Sequence, residues 1–394
     1  MPTLSTAEAT DLFRSPPDRF LDVGAGEVAH RQVGTGPDVL FVHGWPVSGA
    51  TFRTLLPHLV DHLTCHVIDL PGSGWSRFTD TTPLSIDQHI TSVRRVVDLL
   101  GLDDVAVVGH DSGGMIARHA VAGDPRLRAL ALIDTEQPQG LSWRFRLFLA
   151  ARHLPGFGAS LGWAVARPRV RRNPLVLGGA FVDRSLLDGE FDELFLRPLH
   201  DVPARLQAAV RLLRTFDTRY VTDLAEVHRR ITVPVKLVWG EEDRFFPVAW
   251  ARQMVGTFPD ASLDVVPGAG LFAHEEKPAD VARALLPFLA YVGIFLLVPT
   301  FTVIVNGFVE NGSFSLSNVR TLFTATVFET TWKSILLSLS TALIGATLGA
   351  LLAYLALSGN PNGLLRRATV SVSGVLAQFG GVTLAFAWIV TVGS

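Results

Sequence analysis

From about residue 20 to residue 290 the chain alternates short, largely apolar runs with longer stretches whose apolar positions recur every three or four residues. Val39-Leu40-Phe41-Val42, Cys65-His66-Val67-Ile68, Val105–Val108, Leu130–Ile133 and Val235–Trp239 each predict a buried strand. Ile86–Leu100 and Ala249–Phe258 each predict a helix. Apolar strands alternating with helices imply a parallel sheet covered on both faces, an α/β architecture. The rhythm breaks between about Gln137 and Val227, where clean strands are missing and Leu, Arg and Phe follow helical spacing. That segment predicts a helical lid over the carboxyl edge of the sheet, where open α/β folds bind ligands. The sheet pattern resumes at Val233 and closes with a helix, Pro278 to Ala290.

Beyond Ala290 the character changes. Tyr291–Val309 is apolar almost throughout, and Ser334–Leu357 and Ala368–Val392 hold 24 and 25 residues without a charge. Each run is long enough to cross a bilayer as a helix. Gly345, Gly349 and Ala353 form a small-residue face suited to close helix packing. Arg366 and Arg367, between the second and third runs, point to a cytoplasmic turn. Counting back, the α/β part faces the cytoplasm and the chain is a multi-pass protein of the cell membrane. The expected division is therefore a core in two pieces, 1–136 and 228–290, a lid at 137–227, and an all-α segment of about three transmembrane helices at 291–394.

Composition agrees with that split. Six of the charged residues fall beyond Ala290, so the mean hydropathy of +0.34 comes mainly from the tail. A net charge of −2 over 394 residues suggests no nucleic-acid surface. The one Lys/Arg cluster that stands out, Arg167, Arg169, Arg171 and Arg172, reads as a solvated face. A single cysteine, Cys65, excludes an intrachain disulfide. Met1 to Pro17 lacks an apolar core, so a cleaved secretory signal is not expected.

The chemistry concentrates at Gly109-His110-Asp111-Ser112-Gly113-Gly114, which follows the strand Val105–Val108 and precedes helix-like Met115–His119. A strand running into small residues around one reactive side chain is the layout of a nucleophile elbow. In the small-x-nucleophile-x-small frame the central residue is Asp111, because a frame centred on Ser112 would place the bulky His110 where the turn needs a small residue. Four further segments lie at or near strand ends. His43-Gly44-Trp45-Pro46 offers the Trp45 backbone N–H, which with that of Ser112 forms a candidate oxyanion hole. Asp69–Ser76 is a Gly-rich turn. Asp243 lies just beyond Val235–Trp239. His274 sits in the Gly-rich stretch Gly268–His274 before the closing helix.

The order nucleophile, acid, histidine is that of the α/β-hydrolase fold, and the chain resembles that superfamily over about residues 20–290. Within it, His43-Gly44-Trp45-Pro46 with Gly109-His110-Asp111 and Gly113-Gly114 looks like the epoxide hydrolase and haloalkane or haloacetate dehalogenase branch. The resemblance implies a hydrolase in which Asp111 is the nucleophile, His274 the general base and Asp243 the acid that orients it. Asp134, which also ends a strand, is the alternative acid. Asp111 would attack an electrophilic carbon of a small organic substrate to form an alkyl-enzyme ester, and His274 would activate the water that hydrolyses it. No metal or organic cofactor is required. The leaving group stays open. Ser112 stands where dehalogenases of this branch usually have Trp or Arg, and the lid and its exit hold one tyrosine, Tyr220, where epoxide hydrolases typically use two. Trp45, Trp143, His153 and Tyr220 are candidate substrate-binding residues. An ordinary esterase would instead need Ser at position 111.

Residues 291–394 resemble the start of an importer-type ABC transporter permease, on Phe295-Leu296-Leu297-Val298-Pro299-Thr300, Asn318–Phe323, Trp332–Leu337 and Thr347–Ala356. Three arrangements follow: a hydrolase anchored in the bilayer, a transport component that carries an enzyme and needs partner transporter subunits, or an artefactual junction of two genes near Ala290–Tyr291.

Overall fold

The structure is a computed structural model that describes residues 4–286, 288, 308–310, 313, 314, 332, 333 and 336. The chain divides into two units, Met1–Phe295 and Leu296–Ser394.

The first unit is built on eight strands: β1 (Arg19–Asp22), β2 (Glu27–Val33), β3 (Asp38–Val42), β4 (Thr64–Asp69), β5 (Val105–His110), β6 (Leu127–Ile133), β7 (Val235–Gly240) and β8 (Ala261–Val266). They form one sheet in the order β1-β2-β4-β3-β5-β6-β7-β8. The β1–β2 hairpin and its β2–β4 edge are antiparallel, and every pair from β4 to β8 is parallel. The central strands β4 and β5 are buried along their whole length, which accounts for the apolar runs Val67-Ile68 and Val105–Val108 within them. By contrast β1, β2 and β8 mix exposed and buried positions. That mixture hides them from a search for continuous apolar runs.

Helix α1 (Thr6–Arg14) precedes the sheet, and α2 (Ile86–Leu100) and α3 (Ser112–Val121) cover it. The boundaries of α2 follow local chemistry. Ser85 accepts the Gln88 N–H at the start, and Gly101 ends the helix at φ 63°, a left-handed conformation that favours glycine. Its apolar residues Ile86, Ile90, Val93, Val96 and Val97 recur at helical spacing and are buried.

Between β6 and β7 the chain forms seven helices: α4 (Trp143–Ala151), α5 (Phe157–Val165), α6 (Pro168–Arg171), α7 (Arg197–Asp201), α8 (Pro203–Arg214), α9 (Arg219–Thr222) and α10 (Leu224–Arg229). The Arg167–Arg172 cluster is not simply a solvated face. The Arg171 side chain is buried and bonds Asp188 at 2.7 Å and Asp192 at 2.5 Å. Those two carboxylates replace the solvent that its charge would otherwise require. After β7 come α11 (Val248–Met254) and α12 (Ala273–Glu276), and the chain is helical again over residues 278–286.

Among the described residues no helix is long and apolar enough to cross a membrane. The runs expected to span a bilayer lie almost wholly outside the described residues. In the second unit, Val309–Glu310 and Ser313–Phe314 pair as a short antiparallel hairpin, so that unit is not wholly helical. The Asn311-Gly312 dipeptide between them is a strong sequence signal for a two-residue hairpin turn.

The feature that places the site is the crossing of α3 over β5 and β3. A Cβ on Gly109 would lie 2.6 Å from the Gly114 Cα, and one on Gly113 would lie 2.2 Å from the His43 carbonyl oxygen. Both obstacles are backbone and cannot swing aside. Gly113→Ala is therefore expected to lower the unfolding free energy by about 1–3 kcal/mol. The measurement is the denaturant midpoint at unchanged slope, and a midpoint equal to wild type would show that the crossing has slack.

Candidate active site

Asp111 stands at the top of β5 with φ 51° and ψ −137°, immediately before α3. A non-glycine residue there is strained, by about 1–3 kcal/mol. Its backbone is held on both sides. The Asp111 N–H donates to the Asp134 carbonyl at 3.0 Å, and its own carbonyl accepts the Thr135 hydroxyl at 2.7 Å and the Gly114 N–H at 2.8 Å. The strained turn lifts the carboxylate clear of the strand.

The loop after β3 supplies the facing wall. The Trp45 N–H donates to Asp111 Oδ2 at 2.8 Å. Gly44 lets the loop come this close, because a Cβ there would lie 2.4 Å from Asp111 Oδ2. His43 pins the loop. Its Nε2 accepts the Leu70 N–H at 2.9 Å, so Nδ1 carries the proton and donates to the Gly44 carbonyl at 2.8 Å. Asp69 organises the neighbouring turn by accepting the Gly49 and Trp75 N–H groups.

Burial pushes the Asp111 carboxyl well above its usual range, and the nearby Glu136 charge pushes the same way. The Ser112 and Trp45 amides oppose that shift by stabilising the anion. Glu136 lines the same cavity and is itself raised by burial, with the Arg118 charge pulling the other way. Arg118 is wholly buried and donates to the Thr135 hydroxyl at 2.9 Å and to the Glu136 carbonyl at 2.8 Å.

Both candidate acids are present and neither is bonded to an imidazole. Asp243 Oδ1 accepts the Phe245 and Phe246 N–H groups at 2.7 and 3.0 Å. Asp134, at φ 37°, accepts the Gly240 N–H at 2.7 Å. The second oxygen of each is buried with no hydrogen-bond partner among the described residues. Burial pushes Asp243 up to about 7, and burial together with the Asp243 charge raises Asp134 well above the ordinary range.

The expected base is not brought to the nucleophile. His274 belongs to α12, which packs on the Gly49–Phe52 turn, and its Nε2 lies 2.8 Å from the Thr51 hydroxyl. That hydroxyl donates to Glu275, so Nε2 is the protonated nitrogen. Nδ1 is buried without a partner among the described residues, and the ring packs edge-on against His110 with centroids 4.3 Å apart. Burial, reinforced by His110 and the Arg53 charge, holds His274 neutral well below its usual pKa. The residues of this segment that line the Asp111 cavity are Leu271 and Phe272.

The cavity has a volume of about 430 Å³, within the range of small-molecule sites, and its walls are mainly aromatic and aliphatic. Trp45 and Trp143 line it; His153 and Tyr220 do not. His153 lies on the surface beside Arg152, and Tyr220 packs against His119. The Trp45 indole N–H is already committed to the Ala209 carbonyl at 3.0 Å. Glu136 and Arg144 are cavity residues that the sequence pattern does not single out. Among the described residues no group of three His, Cys, Asp or Glu side chains is arranged to hold a metal ion.

A family model described as alpha/beta hydrolase fold matches residues 37–278, and the chain belongs to that family. A pimeloyl-[acyl-carrier protein] methyl ester esterase of Stenotrophomonas maltophilia is 34% identical over 276 residues, covering 65% of this chain and 94% of that protein. The protein of the same name from Chromobacterium violaceum is 30% identical over 268 residues, covering 65% of this chain and 96% of its own. Among solved structures, an epoxide hydrolase without ligand has a TM-score of 0.59 at 24% identity, covering 70% of this chain and 98% of that one. A haloalkane dehalogenase loop variant from Bradyrhizobium elkanii has a TM-score of 0.60 at 21% identity, covering 72% and 98%. These two likenesses show the fold. Together the family and its esterase relatives support a hydrolase enzyme. They account for the α/β part of the chain and bring no support for a permease-like tail.

The buried charge on Asp243 has a measurable consequence. Its folded-state pKa is raised, so the native state holds a proton that the unfolded chain releases, and stability falls as pH rises from the ordinary Asp value towards 7. Asp243→Asn keeps an acceptor for the two amides and removes that dependence. Relative to wild type, its unfolding free energy is expected to improve by on the order of 2–3 kcal/mol between pH 5 and pH 8. A difference that stays flat with pH in chemical denaturation would show that Asp243 ionises normally.

Proposed function

We propose that the chain is a hydrolase in which the Asp111 carboxylate attacks an electrophilic sp³ carbon of a small, largely apolar substrate and forms an alkyl-enzyme ester. The observation that carries this reading is a carboxylate at the apex of the elbow, one oxygen bonded to the Trp45 amide at 2.8 Å, at the floor of an apolar cavity. With Oδ2 held by that amide, Oδ1 is the oxygen left to attack. Oδ2 becomes the ester carbonyl oxygen, already placed where the Trp45 amide, with that of Ser112, stabilises the oxyanion of the later tetrahedral intermediate.

Within this class a carbon–halogen substrate fits better than an epoxide. A departing halide needs donors and no proton, and two residues that carry N–H donors, Arg144 and Trp143, are among the cavity's lining residues. An epoxide oxygen needs a proton as the ring opens. Tyr220 is not at the cavity, which leaves Glu136 for that task.

Acting on an ester, as the names of the curated relatives describe for those proteins, is the second reading. A carboxylate attacking an acyl carbon would form a mixed anhydride, which is higher in energy than the ester it came from, so position 111 argues against it. Bilayer association of residues 291–394 rests on their near absence of charge. Retention of the full chain in the membrane pellet after an alkaline carbonate wash is the expected result, and release into the supernatant refutes it.

The test of the chemistry is a panel of haloalkanes, haloacids, epoxides and methyl esters with wild type and Asp111→Asn. Halide release or epoxide opening is expected from wild type and is lost in the variant. Because the Asp111 pKa is raised and only its anion attacks, the alkylation rate falls as pH is lowered through a value above the ordinary Asp range. Ester hydrolysis that persists undiminished in Asp111→Asn overturns the reading.

A further inference from the structure

The ionisable side chains lining the Asp111 cavity are Asp111 itself, Glu136 and Arg144; no histidine is among its described lining residues. Leu271 lines the cavity wall, in the loop leading to Ala273, whose amide neighbours Asp134. The Leu271 N–H donates to the Ala180 carbonyl, and its own carbonyl lies 2.9 Å from His110 Nε2. Two residues earlier, the Ala269 carbonyl accepts the Glu242 N–H at 2.9 Å, which ties the loop to the strand end that carries Asp243. These bonds fix the loop with an aliphatic residue, Leu271, on the wall of the Asp111 cavity. Asp243 and Asp134 each bury an oxygen without a partner among the described residues. A carboxylate normally placed to orient an imidazole has none to orient, and His274 is engaged with Thr51.

We propose that this hydrolase carries out the first half of its reaction efficiently and is held up in the second, because Leu271 occupies the wall position from which a side-chain base would act on the Asp111 ester. The proposal rests on the Asp111 reading above. In the first half Asp111 Oδ1 forms a bond to the substrate carbon, and the carbon–halogen bond breaks with its electron pair on the halide. In the second half water adds to the Asp111 carboxyl carbon and gives up a proton. The bond from that carbon to the alkyl oxygen then breaks, the departing oxygen takes that proton and leaves as the alcohol, and the Asp111 carboxyl loses its remaining proton to solvent, which restores the carboxylate. The first half needs no base. The second does, and base assistance is worth about 10²–10⁴ in rate.

The experiment mixes the full chain with excess bromoalkane and follows halide release and intact mass. The expected result is a burst of about one equivalent of halide, a single alkyl adduct that peptide mapping places on Asp111, and slow loss of that adduct after the reagent is removed. Its hydrolysis rate should rise about tenfold per pH unit, the signature of hydroxide acting alone, with no plateau near neutrality. Leu271→His is expected to shorten the adduct lifetime by about 10²–10⁴-fold. If that variant does not fold, the pH dependence of the wild-type adduct decides alone. Sustained turnover by wild type without an accumulating adduct, abolished in Asp111→Asn, overturns this inference while leaving the Asp111 reading standing. Loss of that turnover in Glu136→Gln would then assign the base to Glu136. Absence of both halide and adduct with every halide and epoxide of the panel removes the Asp111 reading and this inference with it.

Discussion

The nucleophile and its anion hole both depend on how closely α3 crosses β5 and the end of β3. At Gly109 and Gly113 the backbones come so near that a methyl group would overlap main-chain atoms. This approach lets the chain turn from strand to helix in one strained residue. It also brings the end of β3 alongside, so that the Trp45 amide meets the carboxylate that the turn has raised. The strain at Asp111 persists because its N–H and carbonyl are both taken, by the Asp134 carbonyl and the Thr135 hydroxyl. A looser crossing would relax the turn and withdraw the amide together.

That geometry gathers acids. Asp111, Asp134, Glu136 and Asp243 are all buried in one region, and the Arg118 guanidinium reaches towards only one side of it. Desolvation raises all four, and repulsion from neighbouring carboxylates adds to it at Asp111 and Asp134, so the folded state prefers to carry fewer negative charges than the same acids would in water. Nucleophilic attack needs the opposite at one of them, an ionised Asp111. The Trp45 and Ser112 amides resolve the conflict locally by stabilising the charge where it is used. Function therefore favours a pH at which the rest of the cluster is less comfortable.

Much of the α/β part was legible because its signals are local. The buried central strands carry short apolar runs, and α2 carries its cap, its stripe and its terminal glycine within one continuous segment. The elbow was legible for the same reason, since the turn demands small residues at fixed offsets from the reactive one. Strands β1, β2 and β8 were not, because their mixed polar and apolar residues give no continuous apolar run. Glu136 and Arg144 carry no local mark either. Their importance comes from which way the lid and the β6 end face, and that is decided by packing between distant segments. Tyr220 shows the converse, a residue of suitable chemistry that packing turns away.

The histidine is the most instructive case. Chain order after an elbow and a strand-end acid makes a Gly-rich loop followed by His274 look complete, and order is all that spacing along a chain can supply. Direction depends on where the next helix starts. Here α12 begins at Ala273, which puts His274 on its first turn against Thr51, while Leu271, still in the loop, faces the cavity. The substitution of an aliphatic group for an imidazole at that wall has an electrostatic consequence as well. An imidazolium beside Asp134 and Asp243 would favour their ionised forms and lower both pKa values. With leucine there, burial raises both acids with no cation to offset it, and the same side chain leaves the cavity without a base.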